Sequence, residues 1–169
     1  MDIRKISIVG TGTFGVMYGR FFSERLPAGS VRFIADENLI ETCKKNSITC
    51  NGVPCRFTFI PFGTDDPADL VIFAMRFGEL DDVIRRIGSQ VGKNTVILSL
   101  INGITSQDRL SRVFGNDRVL LCTVQGSDVS RTGNAITYTG MGTLNIGTQD
   151  GLPSDFIKAL TAFFDSTGF

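Results

Sequence analysis

Gly10-Thr11-Gly12-Thr13-Phe14-Gly15 spaces three glycines as G-x-G-x-x-G. That spacing can cradle a diphosphate. The first glycine permits a tight turn, the second lets phosphate approach the backbone, and the third lets a helix pack closely on the preceding strand. Unpaired amides and the positive end of the helix then attract the anion. Alone the pattern is weak, because the chain holds 19 glycines and turns reuse them. Its neighbours give it weight. Ile6-Ser7-Ile8-Val9 reads as a buried strand, and Phe14, Met17, Tyr18, Phe21 and Phe22 fall on one helical face. A plain glycine-rich strand-to-helix turn is the competing reading.

Asp36 lies 21 residues beyond Gly15, at the end of an expected strand over Val31 to Ala35. A carboxylate there can accept hydrogen bonds from the adenosine ribose hydroxyls. It would also repel a 2′-phosphate. Two unit charges ~4 Å apart cost about 4 kcal/mol at an effective dielectric near 20, and less when solvated. Glu37 adds to that field. The local chemistry therefore favours NAD over NADP. The competing reading has Asp36 capping the next helix. Arg32 points away from this position if its strand is regular.

These groups need an alternating scaffold, and the remaining pattern supplies one. The 169 residues suit one domain. Short apolar runs alternate with helical patterns, the mark of an α/β fold. Further strands are expected over Asp69 to Ala74, Thr95 to Leu100 and Val119 to Val124. Asn51-Gly52 signals a hairpin turn, and Pro54 an edge. Helices are expected over Glu37 to Lys45 and around Leu80, Val83, Ile84 and Ile87. On the latter, Asp81 with Arg85 and Asp82 with Arg86 form outer i,i+4 pairs worth only ~0.2–0.5 kcal/mol each. Asn134 to Tyr138 and Thr143 to Ile146 read as two antiparallel strands around Gly140 and Gly142. Phe156, Leu160, Phe163 and Phe164 mark a last amphipathic helix.

Composition narrows the chemistry. Lys plus Arg number 17 and Asp plus Glu number 17, which argues against nucleic acid and against an anionic membrane surface. No apolar run reaches the ~18 residues of a bilayer span, and no signal peptide is expected. The absence of His excludes imidazole chemistry within the chain. Cys43, Cys50, Cys55 and Cys122 form no CxxC, so no metal site is expected. They suit a reducing, cytoplasmic compartment.

Ile8-Val9-Gly10-Thr11-Gly12-Thr13-Phe14-Gly15, Asp69-Leu70-Val71-Ile72-Phe73-Ala74-Met75-Arg76 and Ser99-Leu100-Ile101-Asn102-Gly103-Ile104 occur in that order. Arg131-Thr132-Gly133-Asn134-Ala135-Ile136 and the Gly140 to Gly147 segment follow. Together they resemble the N-terminal domain of the ketopantoate reductase (2-dehydropantoate 2-reductase) family. The resemblance implies a Rossmann-like, doubly wound, mainly parallel sheet with a C-terminal antiparallel hairpin. It implies one dinucleotide-binding domain over residues 1–169, followed in the family by a helical domain that is absent here and carries the catalytic lysine. The implied reaction is reduction of a 2-oxo acid with NAD(P)H, usually NADPH, on the route to pantothenate.

By the same resemblance, Gly10 through Gly15 hold the pyrophosphate and Asn102 sits beside the nicotinamide and substrate. Val129 supplies a backbone contact to the cofactor. Arg76 stands where the family usually has lysine, and Asp36 where it usually has a basic residue. The chain alone is expected to turn over little. A stand-alone NAD-sensing module and a related hydroxy-acid dehydrogenase are the alternatives. Without the second domain, the Phe-rich terminal helix is expected to expose a patch for self-association, as in a homodimer.

Overall fold

The computed structural model describes residues 2–103, 105–151 and 154–169. In chain order the strands and helices are β1 (Ile6–Val9), α1 (Thr13–Ser23), β2 (Val31–Ala35), α2 (Glu37–Lys45), β3 (Thr49–Cys50), β4 (Val53–Pro54), β5 (Thr58–Pro61) and β6 (Ala68–Phe73). Then come α3 (Leu80–Arg86), β7 (Val91–Ser99), α4 (Thr105–Phe114), β8 (Val119–Gln125), β9 (Ser130–Thr132), β10 (Ala135–Thr137), β11 (Thr143–Gly147) and α5 (Asp155–Thr167).

β1 and β2 are buried at every position, and β6 at all but one. Their unbroken apolar runs suit parallel strands covered on both faces. The main sheet has the order β11-β8-β7-β6-β1-β2-β5. All its pairings are parallel except that of β11 with β8. The chain runs outward from β1 to β2 and β5, then returns to the other side of β1 with β6. Order therefore reverses between β1 and β6, which opens a crevice at their carboxyl ends. One apolar layer, with Met17, Tyr18 and Phe22 of α1 and Leu160 of α5, covers one face. Leu80 and Val83 of α3 and Leu110 of α4 join the layer on the other.

A second sheet, β4-β3-β10-β9, lies beside α1. Asn51 and Gly52 both take positive φ, 49° and 77°, as a two-residue hairpin turn of this type requires. Pro54 is on the edge strand, where its missing N–H costs no ladder bond. The C-terminal hairpin is β9–β10, turning at Gly133-Asn134. The two strands read around Gly140 and Gly142 exist, but they do not pair with each other. β10 also pairs with β3, and β11 with β8. Burial explains the split. Ile136 is sealed among Val16, Ile48 and Cys50, whereas Leu144 and Ile146 pack into the main core. At φ +75°, Gly142 lets the chain cross between the sheets.

Two expectations need adjustment, the Asp81–Arg85 pair and the exposed aromatic patch. Asp81 pairs with Arg109 of α4, and Arg85 with Asp82. Arg32 does point away from the crevice, as regular strand geometry requires. Arg32 is buried, donates to Ser7 Oγ (3.0 Å) and Gln90 Oε1 (2.8 Å) and pairs with Asp66. Asp66 and Gln90 precede β6 and β7, so Arg32 serves the amino edge of the sheet, opposite the crevice. The Phe-rich face of α5 is not an exposed patch. Phe163 and Phe164 are 6% and 8% exposed and pack on Phe22 at ring separations of 5.5 and 6.2 Å. Phe169 folds back onto Phe164 at 4.8 Å after Gly168 ends the helix in the left-handed region. Self-association through that face would require it to unpack. No helix among the described residues is long and apolar enough to cross a membrane.

Candidate functional site

The glycine loop joins β1 to α1, and the packing of β6 against it fixes where glycine is required. Gly10 has φ +92°, and a Cβ there would lie 2.6 Å from Met75 Cβ and 2.7 Å from Ala74 O. A Cβ on Gly12 would meet Ala74 O at 2.6 Å. One on Gly15 would meet Gly10 O at 2.8 Å and Ala74 Cβ at 2.9 Å. All three glycines are thus demanded by the protein's own packing. The Gly12 amide also donates to Ala74 O at 3.2 Å, which clips the loop to the end of β6.

The loop leaves the start of α1 open. Gly12 is the capping residue, no side chain caps the helix, and no acid lies in the first turn. Orphan amides at a helix start need a partner, and an anion serves best.

A cavity of about 610 Å³ extends from this loop. All of Gly10, Thr11, Gly12, Thr13 and Phe14 line it, as do Arg76 after β6 and Asn102 after β7. Gly15 lies below, packed on the strand. Arg76 and Asn102 are exposed, and among the described residues Arg76 makes no salt bridge. A smaller pocket of about 230 Å³ continues past Phe14 and Asn102 to Ser99, Gln107 and Thr123.

Asp36 lies in a neighbouring cleft of about 510 Å³, which shares Leu39 with the main cavity. It occupies the capping position of α2, yet its side chain makes no cap hydrogen bond. Instead it accepts from the Arg86 guanidinium. That bond, ahead of the one to Asp82, pushes the Arg86 pKa up.

Val129 does not line the cavity. It is half-buried against the core, and its amide faces Ser127 Oγ at 3.4 Å. Two residues on, Arg131 reaches the site. It donates to Thr11 O and, at 2.7 Å, to Gly133 O, and it lines the cavity. Its spacing in the sequence gives no sign of this, because β9 is brought to the loop only by its pairing in the second sheet. Asp128 clasps that arm. It accepts from Thr139 Oγ1 and from the amides of Thr139 and Gly140, both at 2.9 Å, which hold its pKa down at about 2.

A parallel sheet reversing at β1 and β6, with a glycine loop at the reversal, defines a Rossmann-like α/β protein. Residues 6–151 match the family described as ketopantoate reductase PanE/ApbA, and the chain belongs to that family. It is similar to the 2-dehydropantoate 2-reductase of Aquifex aeolicus, at 24% identity over 98% of this chain and 54% of the relative. The crystal structure of 2-dehydropantoate 2-reductase from Geobacter metallireducens superposes with a TM-score of 0.79 at 22% identity, covering 97% of this chain and 56% of that one. A ternary structure of D-mandelate dehydrogenase with NADH and anilino(oxo)acetate has the same fold, with a TM-score of 0.76 at 19% identity over 97% of this chain and 54% of that one. The chain thus spans about half the length of these relatives.

Proposed function

We propose that this chain is the nicotinamide-dinucleotide-binding part of an oxidoreductase that reduces a 2-oxo acid, and that in the whole protein this acid is 2-dehydropantoate. One observation carries the reading: the glycine loop, Arg76 and Asn102 come from three strand ends and line one cavity. When bound, the cofactor supplies the hydride. The chain's residues do the rest of the work on this side. Open amides at the start of α1 and the Arg131 guanidinium hold the diphosphate. Asp36 takes the ribose hydroxyls, which favours NADH. The Asn102 amide orients the nicotinamide end. Among the described residues no salt bridge occupies the Arg76 guanidinium, which forks onto the substrate carboxylate. Val129, outside the cavity lining, has only the family likeness behind its backbone contact to the cofactor. The proton donor to the new alkoxide is the lysine of the family's second domain. A role in pantothenate synthesis and a cytoplasmic location belong to the same proposal.

Side-by-side titration of the chain with NADH and NADPH, followed by nucleotide fluorescence, tests the binding step. Binding with a preference for NADH is expected, with little turnover. Binding of neither refutes the reading. The likeness to D-mandelate dehydrogenase and the arginine at position 76 support a second reading, a dehydrogenase for another 2-hydroxy or 2-oxo acid. Assay of the whole gene product on 2-dehydropantoate and on aryl 2-oxo acids separates the two.

A further inference from the structure

The cleft beside Asp36 contains a cation that is distant in sequence. Arg86 closes the last turn of α3, 50 residues from Asp36. Its Nη1 donates to Asp82 Oδ2 at 3.1 Å, and its Nη2 to Asp36 Oδ1. The guanidinium lies 4.1 Å over the centre of the Phe62 ring. Phe62 and Asp82 thus hold the fork from below and behind, and Asp36 holds it at the tip. Read from spacing, Asp82 and Arg86 are a solvated pair on one helix. In the fold they tie α3 to the end of β2.

This changes the electrostatics of the ribose end. Asp36 alone presents an anion. Asp36 with Arg86 presents a carboxylate with one oxygen engaged, and a guanidinium already shared between two carboxylates. Glu37 lines the same cleft. The local balance of Asp36, Glu37 and Asp82 against Arg86 stays negative, so a phosphate monoester is disfavoured. Removing Asp36 would free one edge of a planar fork suited to phosphate.

Building on the dinucleotide reading above, we propose that Arg86 is a specificity-determining positioning residue: it holds Asp36 as the acceptor for a ribose hydroxyl, and it is a latent receptor for a 2′-phosphate that Asp36 keeps covered. The test is the affinity of the 169-residue chain for NADH and for NADPH at one fixed ionic strength. It compares the wild type with Asp36→Ser, Arg86→Leu, Arg86→Lys and the double variant Asp36→Ser/Arg86→Leu. Urea midpoints identify any variant that fails to fold.

The wild type should prefer NADH by about tenfold or more. Arg86→Leu should weaken NADH about fivefold without improving NADPH, and Arg86→Lys should recover part of that loss. Asp36→Ser should tighten NADPH about tenfold, and adding Arg86→Leu should abolish the gain. Equal NADPH affinity in Asp36→Ser and the double variant would mean that loss of repulsion alone sets the preference, and overturns the proposal. So would an NADH affinity in Arg86→Leu within twofold of wild type. Either result leaves dinucleotide binding intact. Failure of the wild type to bind either nucleotide removes both readings.

Discussion

The two ends of the trench are built from different materials. The glycine-loop end is backbone: Gly10, Gly12 and Gly15 lie where Ala74, Met75 and Gly10 O leave no room for a Cβ. The Asp36 end is side chain: a carboxylate, a guanidinium and a phenyl ring from three separate elements. Backbone shape is set when β1, α1 and β6 pack, so the first end is inseparable from the fold. Side-chain shape can be changed without moving a strand, so the second end is where specificity can vary. Substitutions at the loop should therefore cost stability and binding together, whereas those at the cleft should change which dinucleotide is preferred at little cost in stability.

Gly10→Val tests the first half of that contrast with the largest effect. A left-handed φ costs an L-residue roughly 1–2 kcal/mol, and overpacking against Met75 and Ala74 adds about 1–3 kcal/mol. A loss of about 3 kcal/mol is expected from the urea midpoint, together with loss of nucleotide binding. The matching change at the other end, Arg86→Leu, removes half-exposed contacts to two carboxylates and one ring and should cost about 1–2 kcal/mol. Equal destabilisation by the two would erase the distinction.

Arg131 sharpens it from within the loop end, because it is a side chain added to a backbone site. Its bonds to Thr11 O and Gly133 O are solvent-facing. Arg131→Ala should leave the urea midpoint within about 1 kcal/mol of wild type, since exposed contacts contribute little. Affinity for the dinucleotide should fall about tenfold, the value of one charge-assisted hydrogen bond to phosphate. The salt dependence of binding should fall with it. Unchanged affinity would return Arg131 to a purely structural part in the loop.

The same contrast explains what was legible in the sequence. β2 and α2 have the expected bounds, because a short apolar run ending at an acid and a helix with an acid first and lysines last are local signals. The glycine loop was legible because its chemistry is one of room, and room is signalled by glycine. The Asp36–Arg86 contact was not, because a helical i,i+4 spacing explains Arg86 without any reference to β2. Arg131 was hidden for a similar reason: strand pairing, not spacing, carries β9 to Thr11. The partners of β10 and β11 are not legible, because alternation marks a strand but not its neighbour. Ile136 and Leu144 face different cores, which only the packed structure distinguishes.

The smallest expected effect concerns acid. Residues 10–15 contain no titratable side chain, so the loop itself should not respond to pH. The arm that carries Arg131 should, through Asp128. Its folded pKa, about 2, lies below the ~3.9 of a free aspartate. A depressed carboxylate contributes its stabilisation fully above the unfolded value and loses it as pH falls through the folded one. The clasp on Thr139 and Gly140 should therefore hold at pH 5 and above and loosen between about pH 4 and pH 2. Amide shifts of Thr139 and Gly140, followed by NMR across that window, should titrate with an apparent pKa near the lower end. Asp128→Asn should flatten the curves while leaving those of Gly12 and Gly15 unmoved. An acid transition of the same size in Asp128→Asn would assign the arm's acid sensitivity to another carboxylate, and would detach the position of Arg131 from this clasp.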